Sequence, residues 1–283
     1  MTSGSDGPDA AARRHFADED VGPGWEVVRA ARSLERRLDI SLTGFRQIGA
    51  RGLDMRPRPL PAVTVGIELG ADTLTLDTVD DRQKLRSAVA GLAHTSTRIT
   101  GTGVDHIELR MPPFTAFTLL GGALSELNGN MVGLVDVWGP YATQLGEQLA
   151  RRTSWSERFA VVETALAVRL ESGAVPDPEI RGAWARILAT GGSTRIDRLA
   201  VECGWSRKRL WTRFTAQIGV TPKRAAMLVR FDAAARRLQA GEDPAEVAVA
   251  CGYADQAHLH RDVRDFARCT PRELAAEALR PAS

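Results

Sequence analysis

Apolar and polar positions follow the same order twice near the C-terminal end of the chain. Residues 199–205 read Leu-Ala-Val-Glu-Cys-Gly-Trp, and residues 247–253 repeat that pattern 48 positions later. Each copy predicts a short helix, a turn at the glycine and a second helix with apolar positions four residues apart. Further pairs lie 49 positions apart, so the second copy has gained one residue after its glycine: Leu210 and Leu259, Phe214 and Val263, Thr221 and Thr270, Pro222 and Pro271.

Capping residues mark where the predicted helices begin. Between the copies, Thr221 and Pro222 start a helix that continues to Gly241, roughly 18 residues or about 27 Å at 1.5 Å per residue. If the second helix of each copy lies in the major groove of DNA, a connecting helix of this length can hold the two about one DNA turn apart, roughly 34 Å. The predicted caps are, in chain order, Thr194, Ser206, Thr221, Asp243, Asp255 and Thr270.

The N-terminal half mixes helical and strand patterns. Alternating polarity and β-branched residues predict strands over residues 62–69, 74–79 and 107–111. Helical spacing predicts helices over residues 25–38, 81–92, 141–150, 155–170 and 179–189. The apolar, glycine-interrupted run over residues 114–137 fits neither pattern, so no element is predicted there.

These patterns divide the chain into four parts. Residues 1–22 contain few apolar positions and predict a disordered tail. Residues 23–172 predict an α+β domain for sensing or dimerisation, and two prolines within residues 173–178 predict a linker. Residues 179–283 predict a DNA-binding domain with helix-turn-helix units at about 195–217 and 244–267. The predicted fold class is multidomain, with an N-terminal α+β domain followed by an all-α domain of two helix-turn-helix units joined by a long helix.

Charge is divided unequally along the 283 residues. The net charge is +2, but the chain from residue 180 onward carries 18 Lys and Arg against 11 Asp and Glu. The basic part therefore suits a phosphate backbone, and the acidic part suits a different partner. No apolar run is long enough to span a bilayer, and the polar, acidic start does not look like a signal peptide. We therefore expect a cytoplasmic protein.

The second helix of each unit carries the candidate DNA contacts. Its apolar positions face inward, which leaves basic and amide side chains facing outward, where Gln can pair with adenine and Arg with guanine. Two alternatives stay open: Trp211 packs against a neighbouring domain, or the basic residues contact phosphates only. The candidates are Ser206, Arg207, Lys208, Trp211 and Thr212 in the first unit, and Gln256, His258, His260, Arg261 and Arg264 in the second.

Residues 252–261, Gly-Tyr-Ala-Asp-Gln-Ala-His-Leu-His-Arg, followed by Thr270 and Pro271, resemble the signature of the AraC/XylS family of bacterial transcription regulators. The first unit, from Ala200 to Pro222, is similar to the same family's first helix-turn-helix. The resemblance covers roughly residues 180–280 and implies a regulator that binds double-stranded promoter DNA and associates with the bacterial nucleoid when bound. By this resemblance, bases are contacted by Lys208, Trp211 and Thr212, and by Gln256, His260 and Arg261.

Three positions depart from the family pattern. Arg268 stands where the family usually has Gly, and Val263 where it usually has Phe. Both predict looser packing of the second unit. Thr212 stands where Arg is common, which predicts weaker base contacts in the first unit.

The N-terminal half resembles the sensor halves of actinobacterial-type members of the family, on residues 109–113, 119–127 and 134–139. This resemblance assigns no ligand. A small-molecule effector, RNA polymerase and a second copy of the chain stay open as further partners. Nothing in the sequence decides between activation and repression.

Other classes of protein are less well supported. Asp105 and His106, or the aspartates at 77, 80 and 81, lack a partnered nucleophile or a metal-ligand pattern, and Cys251, His258, His260 and Cys269 match no common zinc spacing. We therefore predict no enzyme, no catalytic residue, no cofactor and no metal. The alternatives are a catalytic N-terminal domain and a non-specific architectural DNA-binding protein. Two dissimilar recognition faces argue against the architectural alternative.

Overall fold

Alternating polarity in the N-terminal half produces two antiparallel sheets. The computed structural model describes residues 24–30, 39–50, 52–70, 74–77, 82–93, 97–122, 124–127 and 130–278. One sheet has the order β1-β2-β9-β4-β7-β10 and the other β3-β8-β5-β6. The strands are β1 Trp25–Arg29, β2 Ser41–Gln47, β3 Leu53–Met55, β4 Val63–Glu68, β5 Leu74–Asp77, β6 Arg82–Leu85, β7 Ser87–Ala90, β8 Arg98–Gly101, β9 Asp105–Met111 and β10 Met131–Gly133.

The central strand β9 separates two environments. Ile107 and Leu109 are fully buried on the face that carries the helices. Gly44 is paired with Ile107, and a Cβ on Gly44 would lie 2.4 Å from the ring of Trp155. Only glycine leaves room for that ring against the sheet. His106, one residue along, points to the opposite face, toward the second sheet.

The helices follow the sheets and fill the C-terminal part of the chain. Among the described helices, none is both long and apolar enough to cross a membrane. Their bounds are α1 Pro113–Leu119, α2 Leu124–Leu127, α3 Leu134–Trp138, α4 Pro140–Ala150, α5 Trp155–Ser172, α6 Pro178–Ala189, α7 Ile196–Glu202, α8 Arg207–Ile218, α9 Pro222–Gln239, α10 Pro244–Ala250, α11 Gln256–Ala267 and α12 Pro271–Ala278.

The predicted fold class is confirmed, since a strand-rich N-terminal part precedes a helical C-terminal part. The predicted strands and the helices of residues 141–150, 155–170 and 179–189 are present. The unassigned run of residues 114–137 forms α1, α2, β10 and the start of α3. The predicted tail, residues 1–22, lies outside the described residues, and the domain bounds stay predictions.

Two predicted helices were wrong. Residues 25–29 form β1, which pairs with β2 along its whole length, and the rest of the predicted helix falls largely outside the described residues. Residues 82–85 and 87–90 form β6 and β7. In both segments the pairing of β-branched residues on a half-buried sheet outweighs a helical spacing. Val89, for example, is fully buried and pairs with both Val65 and Val132.

Candidate DNA interface

The first helix-turn-helix unit consists of α7, a turn at Gly204 and α8. Gly204 has φ +65°, a backbone conformation that favours glycine, and it follows the last turn of α7. The hydroxyl oxygen of Ser206 accepts a hydrogen bond of 3.2 Å from the backbone N–H of Arg209, so the predicted cap of α8 is confirmed. Leu210 and Phe214 are fully buried, and Phe214 packs near the ring of Trp184.

The second unit repeats this arrangement with α10, a turn at Gly252 and α11. Gly252 has φ +72°. The carboxylate of Asp255 accepts a hydrogen bond of 2.7 Å from the backbone N–H of His258 and caps α11. Leu259 and Val263 are fully buried. The inward face of each second helix is therefore apolar, as the repeat predicted.

The long helix α9 connects the two units. It contains 18 residues, which is the predicted length, and Thr221 caps it through the backbone N–H of Arg224 at 3.2 Å. Phe231 in its middle stacks on Phe266 of α11 with ring centroids 4.9 Å apart. The second unit is thereby packed directly on the helix that joins it to the first.

The remaining predicted caps have mixed outcomes. Asp243 caps α10, and Thr270 forms a capping box with Glu273 at the start of α12. The prediction for Thr194 was wrong, because α7 begins after Arg195, whose side chain makes no capping hydrogen bond. Helix α7 starts one residue later than predicted, so the hydroxyl of Thr194 does not occupy the capping position.

Nine of the ten predicted contact residues are exposed side chains. Trp211 is 53% exposed, so within the described residues it does not pack away against a neighbouring domain. The other exposed candidates are Ser206, Arg207, Lys208 and Thr212 on the first unit and Gln256, His260, Arg261 and Arg264 on the second. These placements leave the side chains accessible to a duplex, and the contacts themselves stay predictions.

His258 is the exception, because it faces the interior of the second unit. Its ring lies 5.1 Å from the ring of Tyr253 at an interplanar angle of 89°, and its Nε2 is 3.2 Å from Nη2 of Arg230. The same Arg230 nitrogen donates to the buried carboxylate of Asp262 at 2.8 Å. His258 and Asp262 are four residues apart on α11 and share the face that packs on α9. We therefore omit His258 from the proposed DNA contacts.

Comparison with known proteins agrees with this geometry. Residues 199–277 match the family model described as a helix-turn-helix domain. The C-terminal region is an AraC-type helix-turn-helix domain. The predicted resemblance is thereby confirmed for that region. No curated protein matches the chain.

Three solved structures illustrate what the chain is similar to. ToxT from Vibrio cholerae has 11% sequence identity, covers 84% of this chain and 98% of its own, and gives a TM-score of 0.47. An AraC-type regulator from Chromobacterium violaceum has 25% identity over 37% of this chain and 96% of its own, with a TM-score of 0.35. The AraC-like activator CuxR has 19% identity over 68% of this chain and 80% of its own, with a TM-score of 0.28. These scores assign neither a ligand nor a mechanism to this chain.

The N-terminal half holds the AraC-type domain through the C-terminal end of α8. Helices α1 and α2 both pack against α8. The side-chain oxygen of Gln217 accepts a hydrogen bond of 2.8 Å from the backbone N–H of Asp177. A Cβ on Gly219 would lie 2.8 Å from the carbonyl oxygen of Leu124, so the two backbones are in close contact there. The C-terminal end of α8 is thus fixed against the N-terminal half, while the outer face of the helix stays exposed.

A buried ion pair also joins the two parts. Nη1 of Arg58, in the segment between β3 and β4, donates to Asp232 on α9 at 2.8 Å, and the two side chains are 12% and 4% exposed. Arg236 approaches the second carboxylate oxygen at 3.2 Å. Burial lowers the pKa of Arg58, and the adjacent Asp232 opposes that effect. The sequence gives no local signal for this pair, because its two residues lie 174 positions apart.

A cavity of about 110 Å³ lies between the two sheets, and the sequence did not predict it. His106 lines it and stacks on Phe45 with ring centroids 4.9 Å apart. Burial lowers the pKa of His106 to about 4, so its imidazole is neutral at pH 7. Asp105 points to the other face of the sheet, where Arg158 donates to it at 3.0 Å. The two neighbours considered as a catalytic pair therefore lie in different environments.

The cysteines and histidines that the structure describes do not assemble into a metal site. Among the described residues, no group of three or more His, Cys, Asp or Glu side chains is placed to hold a metal ion. Cys203, Cys251 and Cys269 are partly buried. Burial raises the pKa of Cys203 and of Cys251, which keeps both as neutral thiols at pH 7.

Proposed function

We propose that this chain is a sequence-specific transcription regulator whose AraC-type domain binds promoter DNA through α8 and α11. The observation that carries the proposal is the pair of unequal, exposed recognition faces mounted on one long helix. The first face is basic and presents Trp211, whereas the second combines Gln256, His260 and Arg261. A protein that binds DNA without regard to sequence has no need for an amide aimed at base edges.

On both helices, some of the exposed side chains are assigned to phosphates and the others to bases. Arg207 at the start of α8 and Arg264 on α11 suit phosphate oxygens, which fix the position of the domain on the duplex. Lys208, Trp211 and Thr212 face the bases of one box. Gln256, His260 and Arg261 face those of a second box, about one turn away. Because the faces differ, the proposed site for one chain is not palindromic.

Arg213 is better explained as part of the support than as a contact. Its guanidinium donates two hydrogen bonds of 2.7 Å to the carboxylate of Asp177, ahead of α6. The pair directs the side chain toward the linker. Arg207 also pairs with an acid, Asp197, at 2.7 Å, but its side chain is 74% exposed and stays accessible to a phosphate.

Selection of duplexes from a random pool with the full chain tests this function. The proposal expects enrichment of two short, dissimilar boxes whose centres are about 10 base pairs apart. Retention of all sequences to the same degree would instead support the non-specific architectural alternative. The selection needs no knowledge of the operator and measures specificity rather than affinity alone.

The proposal also includes control through the N-terminal half and action in the cytoplasm. The cavity between the sheets lies in the part that contacts both α8 and α9, so a molecule bound there has a physical route to the DNA-binding helices. A ligand changes DNA affinity only if it binds the DNA-competent arrangement with a different affinity. RNA polymerase and a second copy of the chain are further proposed partners. No catalytic step is part of this function.

A further inference from the structure

The guanidinium of Arg58 is shared between the cavity and the DNA-binding part of the chain. It lines the cavity between the two sheets, and it also forms the buried ion pair with Asp232 on α9. We propose that the cavity binds a small, mainly apolar molecule with a single anionic group, that this group pairs with Arg58, and that Asp232 passes the event to α9. This inference rests on the proposed function and names the ligand class and the route of control.

The walls of the cavity define the apolar part of the ligand. Both sheets contribute: the six-stranded sheet through residues such as Phe45 and Met131, and the four-stranded sheet through residues such as Leu76 and Ile99. A volume of about 110 Å³ is of the order that accommodates one aromatic ring. Apolar walls of this size favour a ring or a short alkyl chain over a sugar, whose hydroxyl groups would lose their hydrogen bonds to water.

An unsatisfied donor defines the polar end. Nη1 of Arg58 is used by Asp232, whereas Nη2 is buried and has no hydrogen-bond partner among the described residues. A buried N–H without an acceptor is unfavourable, and a charged donor is more so. A carboxylate or another small anion in the cavity supplies the missing acceptor through a charge-assisted hydrogen bond.

Neighbouring charges favour an anion over a neutral acceptor. Arg110 and Arg236 lie close enough to Arg58 for their positive charges to lower its pKa. Glu108, on the cavity wall, already accepts a hydrogen bond of 2.8 Å from Arg110, and Asp232 is shared by Arg58 and Arg236. A ligand anion offsets the repulsion among these guanidinium groups, which a neutral amide of the same shape does not.

The position of Asp232 explains how binding reaches the DNA. It lies in the middle of α9, between the two units, and is 3% exposed. An anion that binds the guanidinium of Arg58 weakens or repositions its ion pair with Asp232. The packing of α9 against the sheets changes as a result. Because coupling is reciprocal, an acid that changes DNA affinity has its own affinity changed by DNA to the same extent.

Calorimetric titration of the full chain with two matched pairs of probes tests the ligand class. The pairs are phenylacetate with phenylacetamide and hexanoate with hexanamide, in which only the charge of the polar end changes. We expect each acid to bind about tenfold more tightly than its amide, in line with a buried charge-assisted contact. Equal binding of acid and amide, or binding of none of the four probes, overturns the proposal.

Substitutions at Arg58 test whether this residue causes the preference for the acid over the amide. Arg58→Gln removes the cation, and we expect the acid and the amide to bind equally; Arg58→Lys keeps a cation and retains a preference for the acid. Arg98→Gln is the matched control, because it breaks an exposed ion pair with Asp54 on the second sheet. A preference that survives in Arg58→Gln, or that disappears in Arg98→Gln, places the anion elsewhere and overturns the assignment.

The route through α9 is tested with a duplex selected by the protein itself. In the wild type, saturating phenylacetate is expected to change the Kd for that duplex by about threefold or more, a modest coupling. In Asp232→Asn the acid still binds but this change is lost. An unchanged Kd in the wild type, or an unaltered effect in Asp232→Asn, overturns the route. In either case duplex binding without acid still stands as the separate test of the regulator function.

Discussion

The carboxylate of Asp177 accepts two hydrogen bonds of 2.7 Å from the guanidinium of Arg213, which joins the linker ahead of α6 to the first recognition helix. The same residue donates its backbone N–H to Gln217 on α8. The linker is therefore a support for the first unit. The carboxylate of Asp177 also makes the stability of the protein depend on pH, because the hydrogen bonds from Arg213 lower the pKa of Asp177.

We expect Asp177→Asn to lower the free energy of unfolding at pH 7 by no more than about 1 kcal/mol, since the pair is partly exposed and screened by solvent. A lowered pKa in the folded state gives stability that is present above the unfolded value, about 3.9, and that is lost as the pH falls through the folded value. The difference between wild type and variant should therefore shrink below about pH 4 in urea titrations. A difference that grows as the pH falls would contradict the assignment, and Asp54→Asn is the control for an ordinary exposed pair.

Arg268 ends α11 in a left-handed conformation, with φ +58°. The family resemblance places Gly at this position, and a side chain other than glycine is strained there. We expect Arg268→Gly to raise the free energy of unfolding by roughly 0.5–1 kcal/mol, after allowing for the greater freedom of glycine in the unfolded chain. Arg268→Ala keeps the strain and removes only the charge, so no such gain is expected from it. Thermal unfolding of both variants decides the matter, and equal effects would contradict the strain argument.

Much of the C-terminal part was predictable because its signals are local. Ser206, Thr221 and Asp255 each cap the helix that directly follows them, and capping depends on residues within one turn. The strand β1 was not predictable from the spacing of Trp25 and its neighbours, because its partner β2 begins more than ten residues later. Tertiary pairing of this kind overrides local spacing.

The candidate site shows the same division between local and distant information. Helical periodicity was sufficient to predict that Lys208, Gln256 and Arg261 are exposed and that Leu259 is buried. It did not identify the inward position of His258, which depends on Arg230 of another helix. The pairing of Arg58 with Asp232 depends on contacts between distant segments, and no pattern along the chain encodes it.

His258 and His260 form a matched pair that separates packing from recognition. His258 contacts Tyr253 and Arg230, so we expect His258→Ala to lower the free energy of unfolding by about 1 kcal/mol with little effect on base discrimination. His260 is exposed, so His260→Ala should leave stability unchanged and weaken binding to a selected duplex. Urea unfolding and competition binding measure the two effects. A loss of stability in His260→Ala together with a loss of base discrimination in His258→Ala would contradict both assignments.

Arg261 is the best candidate for a single-base contact in the second unit. We expect Arg261→Ala to reduce discrimination at one base pair by about 1–3 kcal/mol, with smaller effects at the others. Competition binding with single-base variants of a selected duplex measures this directly, and Arg272→Ala, on the exposed surface of α12, is the control. Uniform weakening across all the duplexes would instead assign Arg261 to a phosphate.

The central claim is that α8 and α11 read two boxes on the same face of the duplex, at a separation set by α9. Insertion of about five base pairs between the boxes of a selected duplex rotates the second box by half a turn. The measurement is the Kd of the full chain for the inserted duplex against the original. We predict a fall in affinity to nearly that for unrelated DNA, whereas an unchanged Kd would contradict the claim.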